Sequence, residues 1–148
     1  MRFLGGETVP RADVPSVIRK WLERWDANGM GPFAVERRED GRVLGRVGVI
    51  VWDTRTWQNS TFADAGEHAQ PELGWAFGRR HWGNGYAVEA ARATRDWARE
   101  TRGVGRLISL INAANVRSQR VAERLGAVPA ETVTLFDSGP AVVWVHPD

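Results

Sequence analysis

The chain has 148 residues, 43% of them hydrophobic and 26% charged, with a formal net charge of +2 and no cysteine. This length predicts a single domain over residues 1–148, and the apolar content is sufficient for a buried core. The absence of cysteine excludes disulfides, cysteine-ligated zinc and thiol nucleophiles. The three histidines lack the close spacing of a metal site, so no metal is expected. Basic residues are interspersed with acidic ones, which argues against a nucleic-acid partner.

The sequence contains no segment of about 20 apolar residues, the length that a membrane span requires. Its longest apolar run is Val47 to Trp52. Glycine and acid at Gly5, Gly6 and Glu7 interrupt the N-terminus before the apolar region of a signal peptide could form. We therefore expect a cytoplasmic protein that does not bind a membrane.

The first half of the sequence predicts a helix, an antiparallel pair of strands and a loop. The helix spans 10–28 and ends at Gly29. Strands over 33–38 and 42–52 are joined through an Asp-Gly turn, a strong hairpin signal. Residues 53–70 are polar and aperiodic, which predicts a long loop. The apolar residues that recur at helical spacing in the helix are Val14, Val17, Ile18, Leu22 and Trp25.

The second half alternates strands with helices. A strand over 72–77 precedes a helix over 86–101, and a strand over 107–111 precedes a helix that Asn115 can cap. A final hairpin is formed by strands at 132–136 and 141–145. Two hairpins around a strand-helix-strand crossover predict an α+β fold, with a mixed, mostly antiparallel sheet and helices on both faces.

A glycine-rich junction between strand and helix occupies residues 80–87, with the sequence RHWGNGYA. Backbone N–H groups and the positive end of the helix dipole meet there, so the junction predicts an anion site. Arg79 and Arg80 add positive charge. The dinucleotide-binding fingerprint fits poorly, because Val88 stands at the position of its third glycine. The alternative is a glycine-rich turn that binds no ligand.

Four motifs follow one another along the chain: ELGWAF at 72–77, RxxGxGYAxEA at 80–90, NxxS at 115–118 and ERLG at 123–126. Their order and spacing resemble those of the GCN5-related N-acetyltransferases (GNAT), and most closely those of the ribosomal-protein-alanine acetyltransferase branch. The resemblance covers about residues 2–145. It implies the GNAT fold and transfer of an acetyl group from acetyl-CoA to an amine.

The resemblance also implies a coenzyme A site. In the family, a loop of this type binds the pyrophosphate through backbone amides, and the preceding strand diverges from its neighbour and pairs with pantetheine. Asn115 would hydrogen-bond the pantetheine arm and Arg124 could approach the nucleotide phosphates, the alternatives being a plain helix cap and a solvated charge. The remaining positions are Arg80, Gly83, Asn84, Gly85, Tyr86 and Ala87 for the pyrophosphate, and Trp75, Ala76, Phe77 and Gly78 for pantetheine.

In that family an amine attacks the acetyl thioester directly, which requires a base for the ammonium proton and an acid for the thiolate. Glu72 projects on the same face as Gly74 and Ala76, whose small side chains leave room for an acyl group, so Glu72 is the candidate base. Many family members have a tyrosine that acts as the general acid at the position of Ala122. Alanine cannot donate a proton, which leaves Ser118 as the candidate acid. The alternatives are a salt-bridged carboxylate for Glu72 and a helix-packing role for Ser118.

Two further expectations concern self-association of the chain and the tryptophans near the site. Family members normally carry a strand and a helix, about 25 residues, before the segment that matches the start of this sequence. We therefore expect the first strand and helix to be missing, an unpaired sheet edge near 33–38, and self-association as a homodimer. Among the eight tryptophans, Trp52, Trp57 and Trp82 are the ones expected near a site.

The sequence thus predicts an acetyl-CoA-dependent N-acetyltransferase that acts on a primary amine of a protein N-terminus or a small molecule. One alternative is an O-acyltransferase of the same fold. Another is a non-catalytic coenzyme A-binding module, in which the alanine at position 122 would reflect lost activity. The acceptor amine is not identified, although segments 11–28 and 53–70 would enclose it.

Overall fold

The computed structural model describes residues 9–148, which form one mixed β-sheet with helices packed against it. Within this part of the chain the α-helices are α1 (Val14–Asn28), α2 (Phe62–Ala65), α3 (Tyr86–Arg102) and α4 (Val116–Arg124). The strands are β1 (Pro32–Glu36), β2 (Val43–Asp53), β3 (Gln58–Asn59), β4 (Ala69–Phe77), β5 (Ile108–Ile111), β6 (Val128–Leu135) and β7 (Gly139–Val145). Residues 1–8, where the family resemblance begins, lie outside the described residues.

The strand order in the sheet is β1-β2-β4-β5-β7-β6, and the short β3 pairs with the end of β2. Neighbouring strands are antiparallel except for β4 and β5, which are parallel and are connected by α3. A parallel connection needs a crossover of this kind, whereas the antiparallel pairs β1–β2 and β6–β7 are each joined by a short turn. The predicted α+β class with a mixed, mostly antiparallel sheet is confirmed.

The main hydrophobic core lies on one face of the sheet. Val47 and Val49 of β2 and Leu73 of β4 point to this face and pack with Ala91 of α3. Helix α4 is followed by Leu125, which joins the same core. Burial of these side chains provides most of the driving force that holds α3 and α4 against the sheet.

The opposite face carries the residues that alternate with this core. Arg46 and Glu72 are adjacent in sequence to Val47 and Leu73, so they project away from α3. Helix α1 reaches this second face through Trp21, whose ring centroid lies 5.3 Å from the guanidinium carbon of Arg46. Helices therefore contact both faces of the sheet, as predicted.

Helix α1 is packed incompletely against the described residues. Val14, Ile18 and Leu22 on its apolar face are 38%, 45% and 58% exposed. Trp25 anchors the helix, because its indole N–H donates to the Pro32 carbonyl at 2.9 Å and its ring packs edge-on against Phe33. Strand β1 is an outer strand of the described sheet. Within residues 9–148, the expected sheet edge and incompletely packed helix are both observed.

Two local predictions were wrong. The segment 53–70 is not a plain loop, since it contains β3 and the single turn α2, which the Thr61 hydroxyl caps by accepting from the Asp64 N–H at 3.1 Å. Strand β6 begins at Val128 and not at 132. Its pairing with β7 shifts register between Pro129 and Thr132, so the strand continues across an irregularity that hides its start in the sequence.

Candidate active site

Strands β4 and β5 diverge near the centre of the sheet. Strand β4 pairs with β2 along its whole length, whereas its pairing with β5 is limited to Glu72 and Ile108. Just beyond that pair, the Leu73 carbonyl accepts a hydrogen bond from the Ser109 hydroxyl at 2.6 Å. The C-terminal half of β4 therefore borders an opening between the two strands.

The four residues predicted for pantetheine lie along this opening. Trp75 and Ala76 are within the half of β4 that does not pair with β5. The Phe77 carbonyl already accepts from the Trp82 indole N–H at 3.0 Å, and the Gly78 N–H donates to the Leu44 carbonyl at 3.0 Å. The Ala76 carbonyl faces Gly45 of β2, so among these four Trp75 is the position whose backbone carbonyl faces the opening without a described partner.

The glycine loop that follows β4 is open and left-handed at two positions. Gly83 and Gly85 have φ angles of +80° and +78°, and a Cβ added at either one would meet nothing within 4 Å. Asn84 fixes the loop, since its side-chain amide donates to the carbonyls of His81 and Trp82 at 3.2 Å each. Such backbone favours glycine and leaves room for a phosphate to approach the amides.

The loop leads directly into α3, whose first residues are Tyr86 and Ala87. These two predicted residues therefore contribute backbone N–H groups at the positive end of a 17-residue helix dipole. Arg80, also predicted for the pyrophosphate, is exposed within the short turn Arg79–His81 that precedes the loop. Its charge is free to approach an anion held there.

A cation that sequence reasoning missed also lies beside the loop. The guanidinium carbon of Arg117, from α4, is 4.3 Å from the Trp82 ring centroid, and that of Arg79 is 5.6 Å away. Arg124, which was predicted to approach the phosphates, lies seven residues further along the chain, about 10 Å along the helix axis. The described contacts therefore bring Arg117 to the loop, and the approach of Arg124 to the nucleotide phosphates stays a prediction.

Glu72 is a buried carboxylate at the closed end of the opening, with 8% of its surface exposed. Its Oε2 accepts from the Trp52 indole N–H at 2.8 Å, and its Oε1 accepts from the Leu110 N–H at 3.4 Å. Burial raises the pKa of Glu72, while these two hydrogen bonds and the charge of Arg46 oppose that rise. A carboxylate with a raised pKa is a better proton acceptor near neutral pH. Within residues 9–148 Glu72 forms no salt bridge.

Asn115 and Ser118 come together at the start of α4. The Asn115 side chain accepts from the Ser118 N–H at 3.2 Å and donates to the Ser118 hydroxyl at 3.1 Å. The helix-cap reading of Asn115 is thus confirmed, and the Ser118 hydroxyl retains its own proton for donation. Because α4 packs on the core face through Ala122, Ser118 and Glu72 lie on opposite sides of the sheet.

Trp52, one of the three tryptophans expected near a site, contacts Glu72 there. Its ring lies 6.4 Å from that of Trp57, centroid to centroid. Trp57 adopts a φ of +52°, which is unusual for a bulky residue, and its carbonyl accepts from the Phe136 N–H at 3.1 Å. The terminal hairpin therefore holds Trp57 against Trp52, which in turn holds Glu72.

The described part of the chain contains neither a metal-binding cluster nor a membrane-spanning helix. No group of three His, Asp or Glu side chains there is arranged to hold a metal ion. None of the helices between residues 9 and 148 has the length and apolar character needed to cross a membrane.

The sequence profile of the acetyltransferase (GNAT) domain matches residues 1–128, and the chain belongs to the GNAT family. An uncharacterized protein of Bacillus subtilis, YkkB, is 34% identical over 128 residues, which cover 84% of this chain and 68% of YkkB. The solved acetyltransferase from Agrobacterium tumefaciens is 28% identical with a TM-score of 0.73, and the match covers 95% of this chain and 74% of that one. The chain is therefore an acetyltransferase of the N-acetyltransferase class.

Two more distant structures share the fold. The ribosomal-protein-alanine N-acetyltransferase from Brucella melitensis has a TM-score of 0.71 at 20% identity, over 98% of this chain and 83% of that one. The aminoglycoside acetyltransferase AAC(6')-Ib, solved with ribostamycin and coenzyme A, has a TM-score of 0.63 at 15% identity, over 95% and 90% of the two chains. Both matches confirm the predicted GNAT fold.

Proposed function

We propose that this enzyme transfers the acetyl group of acetyl-CoA to a primary amine, either of a protein N-terminus or of a small molecule. The observation that carries the proposal is the opening between β4 and β5, with buried Glu72 at its closed end and the glycine loop at its open end. The coenzyme A in the structure of AAC(6')-Ib, which shares the fold, supports acetyl-CoA as the donor.

The loop has the properties that a pyrophosphate requires. The space beside Gly83 and Gly85 is open, and the N–H groups at the start of α3 are available as donors. Arg80 and Arg117 supply positive charge at the same end of the opening. The pantetheine arm then extends along Trp75 and Ala76, so that the thioester approaches Glu72.

The chemistry assigned to this chain is direct acyl transfer. An attacking amine must lose a proton, which the Glu72 carboxylate accepts directly or through one water molecule. A carbon–nitrogen bond forms at the acetyl carbonyl as the carbon–sulfur bond breaks. The departing thiolate takes a proton from the Ser118 hydroxyl, which regains a proton from water. Ala122 is fully buried and cannot take part.

The proposal includes a cytoplasmic location, because the donor is an intracellular metabolite. It also includes a homodimer, supported by the outer strand β1 and by the exposed apolar residues of α1. Neither feature is needed for the chemistry at Glu72.

The test has two stages. Acetyl-CoA is expected to raise the melting temperature, since a ligand at about 100 times its Kd stabilises a protein by about 2.7 kcal/mol. Thiol release is then measured with a panel of amino acids, aminoglycosides, polyamines and peptide N-termini. Binding without release from any amine would indicate a non-catalytic coenzyme A-binding module, and release with alcohols alone would indicate an O-acyltransferase. Absence of binding at millimolar acetyl-CoA would refute the donor assignment.

A further inference from the structure

A second charged residue shares the sheet face of Glu72. In the pairing of β2 with β4, Arg46 lies opposite Ala76, Gly48 opposite Gly74, and Ile50 opposite Glu72. Arg46 and Glu72 therefore project from the same face and are four residues apart in register on neighbouring strands, which places their Cα atoms about 14 Å apart. Long side chains at both ends can point toward the space between them.

That space is shaped by glycine. A Cβ added at Gly74 would meet only the Glu72 Oε1, at 3.7 Å, so the floor beside the carboxylate is open. At Gly48, a Cβ would come within 2.3 Å of the Gly31 carbonyl oxygen, because the chain crosses there just before β1. The space between Arg46 and Glu72 on this face is therefore a recess that is open over Gly74 of β4 and closed over Gly48 of β2 by the backbone of Gly31.

The charge of Arg46 has no ionic partner in the described part of the chain. Its guanidinium forms no hydrogen bond or salt bridge with residues 9–148, and its described neighbour is the ring of Trp21. The side chain is half-buried, and burial lowers the pKa of Arg46 while the charge of Glu72 opposes that effect. A partly buried cation is costly unless an anion pairs with it, and a guanidinium matches a carboxylate through two parallel hydrogen bonds.

We propose that Arg46 binds a carboxylate of the acceptor, so that the preferred acceptor is a primary amine that also carries a carboxylate. Its amine faces Glu72 while its carboxylate pairs with Arg46 across the recess at Gly74. This inference rests on the proposed acetyl transfer and narrows its substrate class. A diamine is a poor acceptor in this arrangement, because its second ammonium would face the guanidinium.

The acidic residues of the surrounding segments do not oppose the binding of a carboxylate at Arg46. Asp13 and Asp26 on α1, and Asp64 and Glu67 in the segment before β4, are all exposed to solvent. Their charges are screened by water and salt, whereas the half-buried charge of Arg46 is screened much less. Arg46 is therefore the least screened of these charges.

The experiment compares amines that differ only at the far end of the molecule. The full chain is assayed with acetyl-CoA and ω-amino acids from glycine to 6-aminohexanoate, each beside the alkylamine and the diamine of equal length. We expect kcat/KM to be at least tenfold higher for the best amino acid than for its matched alkylamine, and higher still relative to the diamine. In Arg46→Gln this ratio falls at least tenfold, mainly through KM, and in Arg46→Glu the diamine becomes the better acceptor.

Arg42→Gln is the matched control, because Arg42 is exposed and precedes β2, and it keeps the wild-type ratio. The Kd for acetyl-CoA and the melting temperature report on folding of each variant. Turnover with no preference for the carboxylate, or an equal loss for all three amines in Arg46→Gln, would overturn the role of Arg46 and leave acetyl transfer intact. Absence of turnover with every amine would overturn acetyl transfer and this proposal together.

Discussion

The hydrogen bond from Trp52 to Glu72 allows a direct test of the base. Trp52→Phe removes the indole N–H that lies 2.8 Å from the Glu72 Oε2 and keeps an aromatic ring on the same face. The carboxylate is 8% exposed, so little water is available to replace the lost donor. The charged form of Glu72 loses stabilisation relative to the neutral form, and its pKa must rise further.

The size of the effect follows from the type of bond. A hydrogen bond to a charged group contributes about 1.5–3 kcal/mol, and 1.4 kcal/mol is a factor of about ten in an equilibrium constant. Protonation of Glu72 is therefore favoured about tenfold or more in the variant. A base is active when deprotonated, so activity is lost as pH falls through its pKa, and in Trp52→Phe this loss begins at higher pH.

The assay is the pH dependence of kcat with saturating acetyl-CoA. We expect the acid limb to move to higher pH in Trp52→Phe, with activity well above that limb close to wild type. Glu72→Gln is expected to lower kcat by about 10²- to 10⁴-fold and to leave acetyl-CoA affinity nearly unchanged. Trp57→Phe serves as the control, because Trp57 packs near Trp52 but has no hydrogen bond to Glu72. An unchanged acid limb in Trp52→Phe would refute the assignment of Glu72 as the titrating base.

Four further outcomes are expected. Gly83→Val removes the thermal shift by acetyl-CoA, since a side chain would occupy the open space beside the loop; normal binding would show that the phosphate site is elsewhere. Ser118→Ala lowers kcat with little effect on acetyl-CoA affinity, and an unchanged rate would assign the thiolate proton to water. Burial lowers the pKa of His146 from 6.5 to about 4, so the folded state favours the neutral imidazole. The contribution of His146 to stability is therefore complete above pH 6.5 and is lost as pH falls to 4, about 3 kcal/mol in all. Urea unfolding at both pH values is expected to show this loss in wild type and in His68→Gln but not in His146→Gln, and an equal loss in all three would contradict it. Sizing chromatography with light scattering is expected to show a dimer, whereas a monomer with slow hydrogen exchange along 33–38 would show that the β1 edge is protected.

The sequence alone determined the features that depend on neighbouring residues. Helical spacing, the Asn115 cap and the Gly83 and Gly85 turn are local, because backbone propensity and short hydrogen bonds decide them. The glycine loop before α3 and the small-residue face beside Glu72 were predictable for the same reason. The short elements in 53–70 were not, since a two-residue strand is stabilised by its partner β2 and has no periodic signal of its own.

Only the tertiary structure decided which distant side chains meet at the site. Trp52 donates to Glu72 across 20 residues, and the Ser109 hydroxyl lies 2.8 Å from the Nε2 of His146 across 37 residues. These contacts depend on the register of β2 against β4 and of β5 against β7. A shift of one residue in either register would turn the side chains to the other face of the sheet. The position of Arg46 on the same sheet face as Glu72 has the same origin. Its chemistry is visible in the sequence, but its neighbour is fixed only when the two strands pair.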